Sequence, residues 1–293
     1  MPVLVGQLPD GKPEQVYDGA LVGAGSKAFG PNTSLQDVPA VTPRNGKPSC
    51  VAIYVNGINN AKDEQTESMQ ALADAIGIAL VGVHNATSGV ARDTIQTAAD
   101  KLGFAGLNKA TPTIARLIWD QLEGGKPVVL IGHSQGTLVI AAAIVEVRDR
   151  LIKEKGMTRA QAETALGKIQ VQTFGAAATI FPDGPQYRHY FNKADPIPTY
   201  IGLGHAAMVR APTRERVGEM AGLVDRAAGW AGAKTNLKGA ARSVFDSLNG
   251  YPGRDAVIIA FDDPATDLKA TLAPHLLQTY LKHYKAVEDD IKK

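Results

Sequence analysis

The stretch VVLIGHSQGTLVIAAAIVEV, residues 128–147, is almost wholly apolar, yet His133, Ser134 and Gln135 interrupt it between Gly132 and Gly136. Val128 to Ile131 is a short β-branched and leucine run preceded by the breaker EGGKP, whereas Thr137 to Val147 is alanine-rich and leads into the charged RDRLIKEK. That punctuation predicts a strand, a turn and a helix, and argues against a membrane span, which needs about twenty uninterrupted apolar residues. The turn reads Gly-x-Ser-x-Gly with Ser134 at its centre. A serine between a strand and a helix is what a nucleophile elbow requires, because the tight turn lifts the hydroxyl clear of the backbone. A serine hydroxyl is a weak nucleophile on its own, so hydrolytic use of Ser134 demands a base within reach and donors for an oxyanion. The amide of Gln135 is the first such donor expected, aided by the positive end of the helix that follows.

A second donor is expected from the end of an earlier strand, and IYVNGINN, residues 53–60, is placed to supply the amide of Ile58, with Gly57 allowing close approach. Asn56, His133 and His205 are candidate substrate-binding residues. The base must come from His84, His133, His189, His205, His275 or His283. His133 lies inside the turn and cannot readily reach its neighbour, while His84 and His189 fall on the wrong side of the expected acid in the order nucleophile, acid, histidine. The acid expected is Asp195 in YFNKADPIPTY, directly after a strand and in a loop stiffened by Pro196 and Pro198. Asp183 in FPDGP is an alternative that reads more simply as a surface turn. His275 fits the base best, at the start of the final helix after the loop DDPATDLKATLAP; His205 stays open, and His283 reads as a surface residue of an amphipathic helix.

The elements that must position these groups alternate. CVAIYV, IALVGV, KIQVQTFGAA, YRHYFN and AVIIAF read as strands beside the one before Ser134. DEQTESMQALADAIG, VARDTIQTAADKLG, TIARLIWDQLEGG and MTRAQAETALG read as helices, the last capped by Thr158. Such alternation implies parallel pairing with right-handed crossovers, a mostly parallel, doubly wound α/β sheet. Residues 1–49 are rich in glycine and proline and read as an arm ahead of a catalytic domain spanning 50–293. Residues 206–253 are helical in pattern with no strand among them, as expected of an inserted cap or lid.

Composition narrows the function classes. The 293 residues are 44% hydrophobic, enough for a sizeable core, and 31 basic against 29 acidic residues leave a formal charge of +2, no broad attraction for nucleic acid. The single cysteine, Cys50, cannot form an internal disulfide and has no metal-ligand spacing around it; it is expected to be a buried small side chain. No metal or cofactor is called for. The N-terminal MPVLVGQLPDGKPEQVYDG lacks a basic segment followed by an apolar one, so cytoplasmic residence is the default expectation, with export lacking a visible signal left open.

At VVLIGHSQGTLVIAA, VQTFGAAATIFPDG and YFNKADPIP followed by GLGH, the chain resembles the α/β-hydrolases, and within them the class 3 lipases. Those enzymes show an elbow, a strand ending in Phe-Gly, a strand ending in Asn-x-x-Asp-x-x-Pro, and a histidine near the C-terminus followed by a tyrosine. The resemblance implies acyl-ester hydrolysis with Ser134 as nucleophile, Asp195 orienting and His275 as general acid and base, on an ester or lipid substrate. Three departures bear on the substrate: Gln135 stands in place of a leucine, Asn56 precedes Gly57 where a His-Gly pair is usual, and the helical insertion follows Asp195. The insertion could cover an acyl pocket and open at a lipid surface. An exported phospholipase and a non-catalytic module of the same fold are the competing readings.

Overall fold

The computed structural model describes residues 17–57, 61–86, 109–200, 202–203, 252–265 and 275–291. The helix expected over 90–103, Ile58, His205 and all but the last two residues of the 206–253 insertion lie outside them.

Eight strands form one sheet: β1 (Leu21–Val22), β2 (Ala28–Phe29), β3 (Val51–Val55), β4 (Ala79–Val83), β5 (Val128–His133), β6 (Ile169–Phe174), β7 (Gln186–Asn192) and β8 (Val257–Phe261). Their order across the sheet is β2-β1-β4-β3-β5-β6-β7-β8. From β4 to β8 every pairing is parallel, while β1 runs antiparallel to both β2 and β4. The near-continuous apolar runs of β3, β4 and β5 follow from burial on both faces, the usual state of parallel strands.

Successive residues serve opposite faces. Ile53, Val55, Val81, Leu130 and Val171 pack with Ile114, Leu117 and Ile118 of α2 (Ala110–Glu123) and Ile140, Ile144 and Val147 of α3 (Gly136–Lys155). Tyr54, Leu80, Ile131, Phe174 and Tyr190 pack with Met69 and Leu72 of α1 (Lys62–Ile76) and with Leu277, Tyr280, Leu281 and Tyr284 of α6 (Leu277–Ile291). Each such side chain, fully buried, contributes about 1.5–3 kcal/mol. Two shorter helices, α4 (Arg159–Leu166) and α5 (Pro196–Tyr200), complete the described α-helices, and single 3-10 turns lie at Ala24–Ser26 and Leu35–Asp37. Thr158 caps α4 as expected, its hydroxyl accepting from the amide of Gln161 while the Gln161 side chain accepts from the amide of Thr158.

Two expectations differ from the structure. Part of the segment read as a leading arm is built into the sheet: Leu21 and Phe29 join one core, Val22 joins the other, and Val41 bridges to Leu80. Strands of two residues carry no readable period, so glycine and proline dominate the sequence signal there. Cys50 is exposed, because it stands just ahead of the first residue of β3, where only its carbonyl is used, accepting from the amide of Ala79.

The chain leaves β3 for β4 on one side, and β5 lies on the other side of β3. That reversal opens a crevice at the carboxyl ends of β3 and β5, where ligands of open α/β sheets bind.

Candidate active site

The parallel strands β3 to β8 bring their carboxyl ends to one rim of the sheet, and the turn after β5 stands on that rim. Ser134 has a φ of 53°, left-handed backbone that L side chains rarely adopt. The strain is held by what surrounds it. The Ser134 amide donates to Phe174 O at 3.0 Å, extending the β5–β6 ladder one residue past the strand. The Ser134 carbonyl accepts from the amide of Thr137 at 3.1 Å and from its hydroxyl at 2.7 Å. That same Thr137 hydroxyl accepts from the amide of Ala178 at 3.1 Å, tying the turn to the loop after β6. Gly136 is needed for contact: a Cβ there would lie 2.3 Å from the carbonyl oxygen of Val55. Only a residue without a side chain lets α3 start directly against the end of β3.

Ser134, Asp195 and His275 converge although 141 residues separate the first from the last. His275 Nε2 lies 2.8 Å from Ser134 Oγ, and His275 Nδ1 lies 2.6 Å from Asp195 Oδ2. A carboxylate only accepts, so Nδ1 carries the proton and donates; Nε2 then presents a lone pair to the serine hydroxyl. Asp195 follows β7 and is fully buried. Its other oxygen, Oδ1, accepts from the amide of Ile197 at 2.9 Å, at the start of the short helix set by Pro196 and Pro198.

Tyr280 is a member of this cluster that the residues alone did not single out. Its hydroxyl donates to Asp195 Oδ2 at 2.6 Å, and burial, then the nearby carboxylate charge, push its ionisation well above the usual phenol range, so it acts as a donor. The family pattern of a histidine followed by a tyrosine is the one signal that could have found it. Gly175, with φ of 57°, sits beneath the trio: a Cβ there would stand 3.0 Å from Tyr280 Oη and 3.1 Å from both Asp195 Oδ2 and His275 Nδ1.

The remaining candidates fall in distinct places. His133 is buried with its ring stacked on His275, centroids 5.0 Å apart, and its Nε2 donates to the His275 carbonyl at 2.9 Å. Burial, and then the neighbouring His275, lower its pKa to about 4, so the ring is neutral and packs against the His275 ring. Asn56 is also fully buried and bonded to Asn85, hence engaged with protein groups. The Gln135 amide, at the first turn of α3, has no acceptor among the described residues, as expected of a helix start. Asp183 pairs with Arg254 at 2.9 Å, and His283 pairs with Asp263 at 2.8 Å while stacking on Phe261. His84 donates to Gln65 and His189 to the carbonyl of Pro252, each in a buried structural role. Among the described residues no group of His, Cys, Asp and Glu is arranged to hold a metal ion. In the same residues no helix is long and apolar enough to cross a membrane.

Chemically, the arrangement is a hydroxyl whose proton has an acceptor, an imidazole whose tautomer is set by a buried carboxylate, and an open amide at a helix start. These are the parts needed for nucleophilic acyl transfer.

No family model and no curated protein matches the chain. Among solved structures it is similar to TT1662 of Thermus thermophilus, at 14% identity and a TM-score of 0.38 over 84% of this chain and 92% of that one. It is likewise similar to an esterase of Pyrobaculum calidifontis (12%, 0.37, 84% and 79%) and to a monoacylglycerol lipase of Paleococcus ferrophilus (15%, 0.31, 82% and 96%). Likeness of this degree assigns no activity, and the narrower resemblance to class 3 lipases rests on the motifs alone.

Proposed function

We propose that the protein is a serine hydrolase of carboxylic esters that works through an acyl-enzyme. One observation carries this reading: the continuous chain of hydrogen bonds from Ser134 Oγ through both nitrogens of His275 to the buried Asp195. His275 Nε2 takes the hydroxyl proton as Ser134 Oγ attacks the ester carbonyl carbon, and the carbonyl electron pair moves onto oxygen. The amides of Gln135 and Ile58 receive that oxyanion. The protonated imidazole, stabilised by Asp195, gives its proton to the departing alcohol as the carbon–oxygen bond breaks. Water then repeats the attack with His275 as base, releasing the acid and returning the proton to Ser134.

The substrate is an acyl ester, with lipid esters the finer reading that the motifs favour. A fluorophosphonate followed by peptide mapping tests the chemistry. An adduct on the Ser134 peptide that is lost in Ser134→Ala is the expected result, and no adduct on the native chain would remove the enzyme reading. A p-nitrophenyl ester series from acetate to palmitate tests the substrate: a rate maximum at long chains supports a lipase, one at acetate or butyrate a carboxylesterase. His275→Ala is expected to lower turnover about ten-thousand-fold; a loss of that size in a His205 variant alone would transfer the base to His205.

A further inference from the structure

Gln135 and Asn56 are the two places where the motifs depart from the pattern they resemble, and the structure joins them through a third residue. Asn85 follows β4, is fully buried, and exchanges bonds with Asn56 in both directions. The Asn85 amide donates to Asn56 Oδ1 at 2.8 Å, and Asn56 Nδ2 donates to Asn85 O at 3.1 Å. Asn85 Nδ2 donates to Asn56 O at 3.3 Å and also to Gln135 Oε1 at 3.0 Å.

The backbone partners settle which way each carboxamide faces. A backbone N–H can only donate, so the Asn56 atom that meets it is oxygen; a backbone carbonyl can only accept, so the Asn85 atom that meets Asn56 O is nitrogen. That nitrogen's second hydrogen goes to Gln135, whose oxygen is therefore the end turned toward Asn85.

The network spans the ends of three neighbouring strands, β4, β3 and β5. Five parallel register pairs already join β3 to β4, so the asparagine pair adds little that the ladder lacks. What the ladder does not supply is the bond from Asn85 to Gln135, which reaches past β3 to the residue after Ser134. On the near side, Asn56 Nδ2 also donates to Gly57 O at 2.9 Å, and a Cβ on Gly57 would lie 2.9 Å from Ser134 Cβ. The strand end and the serine turn are thus pressed together around the point where an oxyanion would form.

We propose that Asn85 is a positioning residue for this reaction: its carboxamide clamps the end of β3 to the serine turn and holds the Gln135 peptide aimed at the developing oxyanion. The inference rests on the ester-hydrolase reading above. Donors stabilise a transition state in proportion to how well they are held beforehand, and misplacement by about 1 Å costs on the order of a hundred-fold. A buried amide pair performs this without placing a charge beside the oxyanion.

The test compares Gln135→Leu, Asn85→Ala and the double variant on p-nitrophenyl butyrate, with Ser134→Ala as reference. Gln135→Leu keeps the backbone amide and removes only the acceptor, at a partly exposed position, so it reports even where Asn85→Ala fails to fold. Each single variant is expected to lower kcat about ten- to a hundred-fold with KM within about twofold, and the double variant to lose little more than either single. A purely structural role would lower melting temperature without that split. Single variants with kcat within about twofold of the native protein, while Ser134→Ala abolishes hydrolysis, overturn the proposal and leave the hydrolase reading standing. Native protein that shows neither Ser134-dependent hydrolysis nor a fluorophosphonate adduct overturns both.

Discussion

The hydroxyl of Tyr280 donates to Asp195 Oδ2 at 2.6 Å, on the same oxygen that accepts from His275 Nδ1. Two donors thus fix the position of one carboxylate oxygen. Tyr280→Phe removes one of them and leaves that oxygen held by the imidazole alone. Turnover is expected to fall about tenfold. Rates on p-nitrophenyl butyrate measured beside the melting temperature check this; lowered stability with unchanged turnover would show that Tyr280 serves packing alone.

Gly175 tests how tightly the same cluster is held. Gly175→Ala places a methyl at a φ of 57° and within 3.0–3.1 Å of Tyr280, Asp195 and His275. The backbone conformation costs about 1–2 kcal/mol of stability, and displacement of the imidazole is expected to cost about a hundred-fold in kcat. Parallel denaturant and rate measurements check this; a variant that loses stability but retains turnover would show that the cluster yields without losing alignment.

His84, His133 and His189 together predict an acid-sensitive fold. Burial is the leading cause in each, and all three pKa values drop from 6.5 to about 4. Between those values the unfolded chain binds more protons than the folded one, so stability is full above pH 6.5 and is lost as pH falls through 4. The loss is on the order of 3 kcal/mol for each ring by the acid end of that window. Urea midpoints at pH 7.5, 5.5 and 4.5 are expected to fall in that order, and His189→Gln to flatten the decline. A flat profile would mean these rings find compensation when charged.

Removing His133 separates its two contacts with the base. His133→Phe retains a ring to stack on His275 but leaves the His275 carbonyl without its donor. The stacked ring keeps the fold, while the unpaired buried carbonyl costs about 1–3 kcal/mol. Turnover is expected to fall about tenfold, and a rate on p-nitrophenyl butyrate equal to that of the native protein would show that the His275 carbonyl finds another donor.

Ser134, Asp195 and His275 were readable because each stands where an apolar strand or loop pattern is broken by a polar residue that the core does not need. Tyr280 was not, since it falls with Leu277, Leu281 and Tyr284 on the buried face of α6, where a tyrosine looks like any large core residue. Asn85 was hidden for another reason: its partners lie 29 and 50 residues away, and only the strand order β4-β3-β5 brings them side by side. The six longer strands were legible from their apolar runs, while β1 and β2 are too short to show alternation. Cys50 misled because cysteine is commonly buried, whereas its exposure is decided by where β3 begins.

His275 stands at the head of α6, and α6 packs on α1 and on the sheet face formed long before it in chain order. During synthesis Ser134 and Asp195 emerge well before His275, the group that joins them. A chain cut short before residue 275 would therefore keep the Ser134 turn and the Asp195 loop but lack the imidazole that links them.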